Sequence, residues 1–184
     1  MSMSPALRRG VLTAHLACSV GWLGAVAGFL ALALAGLSSR DAQVVRGAYL
    51  AADLITRFVI VPLSLGSLLT GLVQSLGTPW GLFRHYWVLA TLLLNVLAAA
   101  ALLVHTQPVG RVARAAAETP LASGDLRDAR IELVVIASAA LVVLLVATAL
   151  SVYKPPGLTP YGWRKQQQRR ASQLGSQNRT NRTA

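Results

Sequence analysis

The chain is 184 residues long, with 54% apolar and 12% charged side chains, whereas an average soluble domain carries about 25% charged residues. Leu, Ala and Val stand in long unbroken blocks instead of stripes one helix face wide, which excludes an ordinary water-soluble helical fold and makes lipid the main solvent. The formal charge of +11 does not indicate nucleic acid: seven of the 17 Lys and Arg residues lie from Lys154 onward, where no acid is present. A basic tail beside a bilayer is matched instead to anionic lipid headgroups.

Four apolar blocks follow in chain order. A short segment, 1–10, carries Arg8 and Arg9, and the first block, 11–37, exceeds the apolar core of a cleavable signal peptide. It is long enough for a span, which needs roughly 20 apolar residues. The second block, 48–76, turns strongly apolar only at Phe58, after Asp53 and Arg57. Pro62 removes a backbone donor inside it and predicts a kink near Phe58, with neighbouring helices or Ser64 and Ser67 helping to satisfy the freed carbonyls.

The turn Gly77-Thr78-Pro79-Trp80-Gly81 leads to the third block, 86–105, which has Tyr86 and Trp87 at interfacial depth and ends before Pro108 and Gly110. A mixed-charge segment, 111–130, precedes the fourth block, 131–153, which stops at Lys154-Pro155-Pro156-Gly157. Residues 154–184 are a basic tail; from Arg164 onward almost no apolar side chain is available to offset the entropy of ordering, which predicts disorder. The expected fold is all-α, a four-helix transmembrane bundle.

Four spans put both termini on one side, together with Arg84, and that side holds more Lys and Arg than the other. The positive-inside rule then places both termini in the cytoplasm of a bacterial cell, although Arg111 and Arg114 oppose it.

Polar side chains inside spans are costly, so each is a candidate for function. His15 lies about one turn into the first span, with Ser19 and Trp22 on the same face. It either ligates a haem iron within the bundle or hydrogen-bonds a neighbouring helix. His85 opens the third span at the same membrane depth and would be the only available second haem ligand, or else an ordinary interfacial residue. His105 lies about 30 Å beyond His85 along the helix.

Asp53 and Arg57 have the i, i+4 spacing of an intrahelical ion pair, and with His105 and the mid-span amide Asn95 they make a candidate polar cluster. Its other reading is charge neutralisation at a helix end. Gly21, Gly24 and Gly28, with Gly66, Ser67, Thr70 and Gly71, let helices approach closely, within one chain or between subunits of a homo- or hetero-oligomer. Cys18 is the only cysteine and suits a buried small residue, so no metal site other than a haem iron at His15 is expected. No nucleotide loop, hydrolase triad or zinc-protease motif is present, and no loop is long enough for a separate catalytic domain; an enzyme is not the favoured reading.

The stretches AHLACSVGWLGAVAGF, TPWGLFRHYWVLATLLLNVLAAAALLVHTQPV and VYKPPGLTPYGWRKQ resemble a family of four-helix integral membrane proteins of bacteria, especially actinobacteria. That family is distantly similar to the membrane bundles of the copper-resistance D type and of the J-type haem-synthesis oxidase, some of which bind haem b. The resemblance implies His15 as the axial ligand, with Trp22 and Gly24 in its packing surround. It departs from the pattern at Thr91, where a lysine is expected, so porphyrin oxidation is not implied. Three functional readings stand: a haem- or quinone-binding redox or transport helper, an assembly subunit without cofactor, and a small transporter with a polar path through Asp53, Arg57 and His105.

Overall fold

The computed structural model describes residues 3–77, 83–118 and 126–183. They form helices α1 (Pro5–Ser38), α2 (Ala42–Ile55), α3 (Val61–Gly77), α4 (Tyr86–Glu118), α5 (Arg127–Tyr153) and α6 (Pro160–Thr183), with a π-helical turn, Thr56–Ile60, joining α2 to α3. There are four helical stretches long and apolar enough to cross a membrane: α1, the continuous α2–π–α3 rod, α4 and α5. This is an all-α bundle in which α1 and α4 occupy opposite corners, and each packs against both the α2–α3 rod and α5. Large apolar side chains such as Leu16, Val20, Leu69, Val135 and Val142 remain more than half exposed, as expected of helices whose outer faces are solvated by lipid.

Several boundaries differ from the sequence expectation. Helix α1 begins at Pro5 instead of residue 11, because the Ser4 hydroxyl accepts a hydrogen bond from the Leu7 amide and Pro5 sits in the first turn, where its missing N–H is not needed. Helix α4 runs through Pro108 to Glu118, so 111–118 continue the helix expected to end near His105. Proline in a long membrane helix removes one hydrogen bond without ending it, since neighbouring turns hold the chain. The kink expected near Phe58 corresponds to the π-helical turn, in which the Val61 amide donates to Thr56 five residues back. Ser64 donates to the Val61 carbonyl, but Ser67 bonds across to α1 instead of helping Pro62. Residues 78–81 of the expected turn lie outside the described residues.

The tail read as disordered forms helix α6. Thr159 caps it, accepting from the Gly162 amide at 3.1 Å, Pro160 starts it, and Arg, Lys and Gln are good helix formers. The segment before it is docked: the Thr159 amide donates to the Arg84 carbonyl at 3.1 Å, and the Tyr86 amide donates to the Gly157 carbonyl at 3.4 Å. Gly162 lies so close to the Arg84 carbonyl that a Cβ would collide with it. The start of α4 and the end of α5 are thereby tied together.

Candidate functional site: two stacked chambers in the bundle

One face of α4 turns toward the bundle axis along most of its length. Trp87, Thr91 and Asn95, spaced four residues apart, line a chamber of about 120 Å³ at the end holding the termini. Leu94, Ala98, Ala101 and His105 line a second chamber of about 380 Å³ farther along the bundle. At 1.5 Å per residue the two chambers occupy about 27 Å of this helix face, from Trp87 to His105.

The smaller chamber is the more polar of the two, and its wall includes His15, Ser67, Gln74, Thr91, Asn95 and Ser151. His15 donates its Nδ1–H to the Ser67 carbonyl at 3.1 Å, with the Thr70 hydroxyl oxygen at 3.2 Å. The Thr70 proton is directed to the Gly66 carbonyl at 2.6 Å, which leaves its oxygen to accept from the imidazole. Beside this contact the hydroxyls of Ser19 and Ser67 meet at 2.8 Å. These bonds form because α3 presents glycines to α1: a Cβ at Gly71 would lie 3.0 Å from His15 Cε1, and one at Gly66 would lie 2.9 Å from Cys18 Sγ. By contrast, no described residue lies within 4 Å of a Cβ at Gly24, and one at Gly28 would be in ordinary contact with Ile55 Cδ1 at 3.7 Å, so this pair approaches its neighbours less closely than Gly66 and Gly71 do.

With Nδ1–H committed to α3, Nε2 is the remaining ring nitrogen, the usual arrangement of a ligating histidine. Haem does not fit around it. Pockets that hold cofactors run to roughly 300–1,000 Å³, and this chamber has about 120 Å³. His85 lines a separate cleft with Arg84 and Lys154, and Trp22 lines the larger chamber; the expected grouping of His15, Trp22 and His85 is therefore three different environments. What the small chamber suits is water: buried Gln74 Oε1 has no hydrogen-bond partner among the described residues, and a polar cavity of this size holds a few waters.

The larger chamber is apolar. Its wall includes Trp22, Val26, Phe29, Ile60 and Ala137, and Thr56 and His105 are among its few polar residues. The Thr56 hydroxyl is used, donating to Ala52 at 2.7 Å. His105 donates Nδ1–H to Ala101 at 2.7 Å and holds Nε2 3.8 Å from Glu132. Trp22 is 2% exposed and brings an indole N–H, a donor only, to this wall.

The expected polar cluster is also divided. Asp53 and Arg57 form their ion pair at 2.9 Å and pack against α4 at Gly110, whose Cβ would lie 2.8 Å from Arg57 Nη2. His105 pairs with Glu132, and Asn95 belongs to the His15 chamber. The apolar chamber lies between Asn95 and His105 along α4. Among the described residues no group of three or more His, Cys, Asp or Glu side chains is placed to hold a metal.

Sequence reasoning missed a clamp at the end away from the termini. Arg130, in the first turns of α5, donates Nε–H to the Tyr49 hydroxyl at 3.0 Å and Nη2–H to the Gly36 carbonyl, with its guanidinium 5.5 Å from the Tyr49 ring centroid. Gly36 lies in the last turn of α1, where carbonyls lack helical partners and a cation is favoured. The only sequence signal was an arginine before an apolar block, which has many uses.

Four apolar spans around internal chambers define a multi-pass α-helical membrane protein. No protein family, curated protein or solved structure matches this chain.

Proposed function

We propose that this is a membrane-embedded binding protein for a small apolar molecule bearing a carbonyl oxygen, of the quinone type, held in the larger chamber. The observation that carries the reading is the larger chamber itself: an apolar cavity of about 380 Å³ whose wall includes Trp22, an indole that can donate a hydrogen bond but not accept one. A cavity of that size lies within the range that takes small ligands, and one or two polar groups in an apolar wall orient them. The Trp22 N–H would meet the carbonyl, while Phe29, Val26 and Ile60 cover the ring. This favours a redox or transport helper over an assembly subunit, and binding over catalysis. The cation-rich side supports cytoplasmic termini in a bacterial membrane.

The test is quenching of tryptophan fluorescence by a short-chain quinone added to the purified protein in mild detergent. Saturable quenching is expected, and Trp22→Phe should remove most of it. Ala137→Phe, which fills the chamber without touching the donor, should weaken binding at least tenfold while the protein stays folded. Unsaturable quenching, or binding indifferent to Ala137→Phe, would overturn the reading.

A further inference from the structure

At the end that carries the termini, the docked segment after α5 and the start of α4 enclose a cleft of about 570 Å³ whose wall includes Arg84, His85, Trp87, Lys154, Trp163 and Gln166. Among the described residues its wall has two permanent cations and no carboxylate. The charge imbalance extends well beyond the cleft, since no acidic residue precedes Asp41 or follows Glu132 in the chain. The N-terminus of α4, which begins at Tyr86 beside the cleft, adds a positive helix end. Lys154 is held in place by an unusual backbone: it terminates α5 at φ 43, the one positive-φ non-glycine among the described residues. A side chain other than glycine there is strained, and here the strained position contributes a cation to the cleft.

Depth selects the kind of anion. The cleft joins the ends of two membrane spans, and Tyr86 and Trp163 beside it are each 56% exposed, as aromatic side chains at a headgroup layer are. We infer that this cleft binds the headgroup of an anionic glycerophospholipid, its phosphate between Arg84 and Lys154 and its glycerol against Trp87 and Trp163. Basic pockets at helix ends are used this way in membrane proteins. The inference rests on the membrane-spanning fold and is independent of the ligand assigned to the larger chamber.

The experiment is native mass spectrometry of the full chain after equilibration in mixed micelles containing equal amounts of phosphatidylglycerol and phosphatidylcholine. Selective retention of phosphatidylglycerol is expected, reduced about tenfold or more in Arg84→Gln/Lys154→Gln and kept in the charge-conserving Arg84→Lys/Lys154→Arg. Arg179→Gln/Arg182→Gln, which removes cations from the far tail, should retain the lipid. Equal retention of both lipids, or loss in the tail variant as large as in the cleft variant, would show diffuse attraction and overturn the site. Inorganic phosphate at millimolar concentration should not displace the lipid; displacement would identify a soluble phosphate ligand instead. A thermal melt of each variant establishes that it is folded, and Ala137→Phe should leave lipid retention unchanged, so that failure here and failure of the chamber reading are distinguishable.

Discussion

The imidazole of His15 and the main-chain carbonyl of Ser67 are joined at 3.1 Å across the α1–α3 interface, so that, of the two readings of this histidine, the structure contains the hydrogen bond to a neighbouring helix. Interhelical hydrogen bonds in membrane proteins contribute about 0.6 kcal/mol on average and up to roughly 2 kcal/mol. His15→Ala is expected to lower stability by an amount in that range, read from thermal unfolding in detergent. Loss of much more would mean that the small chamber collapses with the side chain.

The visible spectrum follows from the size of that chamber. Protein purified from haem-replete cells is expected to show no Soret band, oxidised or reduced. A band that shifts on reduction and is lost in His15→Ala would overturn the conclusion that the surroundings of His15 do not fit haem.

The clamp at the other end predicts coupling between two side chains distant in sequence. Hydrogen bonds to charged groups contribute about 1.5–3 kcal/mol, so Arg130→Ala should destabilise the bundle by roughly that much. Tyr49→Phe removes only the hydroxyl and should do so by less. The double variant should be no worse than Arg130→Ala by more than a few tenths of a kcal/mol; full additivity would show that the contact at 3.0 Å carries no energy. Gly36→Ala would place a Cβ 2.7 Å from the Tyr49 ring and should disturb the same clamp.

Thr159 tests whether the tail is docked. Its side chain accepts from Gly162 and donates to the Phe83 carbonyl, and losing a helix cap costs about 1 kcal/mol. Thr159→Val is expected to release residues 154–163 to proteolysis while the spans stay protected; unchanged cleavage kinetics would argue against docking. Gly162→Ala, which pushes Cβ into the Arg84 carbonyl, should have the same effect by a different route.

These residues show unequally how much the sequence discloses. The spans were legible because burial in lipid is a property of composition and length: each needs a continuous apolar run, and the runs are there. The Asp53–Arg57 pair was legible because i, i+4 spacing brings side chains together within one helix. His15, Trp22 and His85 could not be sorted, because sequence spacing does not say which distant part of the chain each side chain meets. Asn95 was rightly read as inward, yet its chamber is shared with His15, since helix rise separates it from His105 by about 15 Å. The tail was misread because low hydrophobicity reports lack of burial, whereas a cap at Thr159 and good helix formers after it are enough for a helix docked at one end.

By itself, then, the sequence determined that this protein lives in a bilayer, crosses it four times and carries its excess positive charge at one end, all consequences of local composition. Only the tertiary structure decided that Gly66 and Gly71 let α1 approach α3, that Arg130 closes the end of α1, and that two chambers of unequal polarity share one axis. Those depend on which helix faces meet, and a glycine, a tryptophan or an arginine acquires its role only from the side chain brought against it by a distant part of the chain.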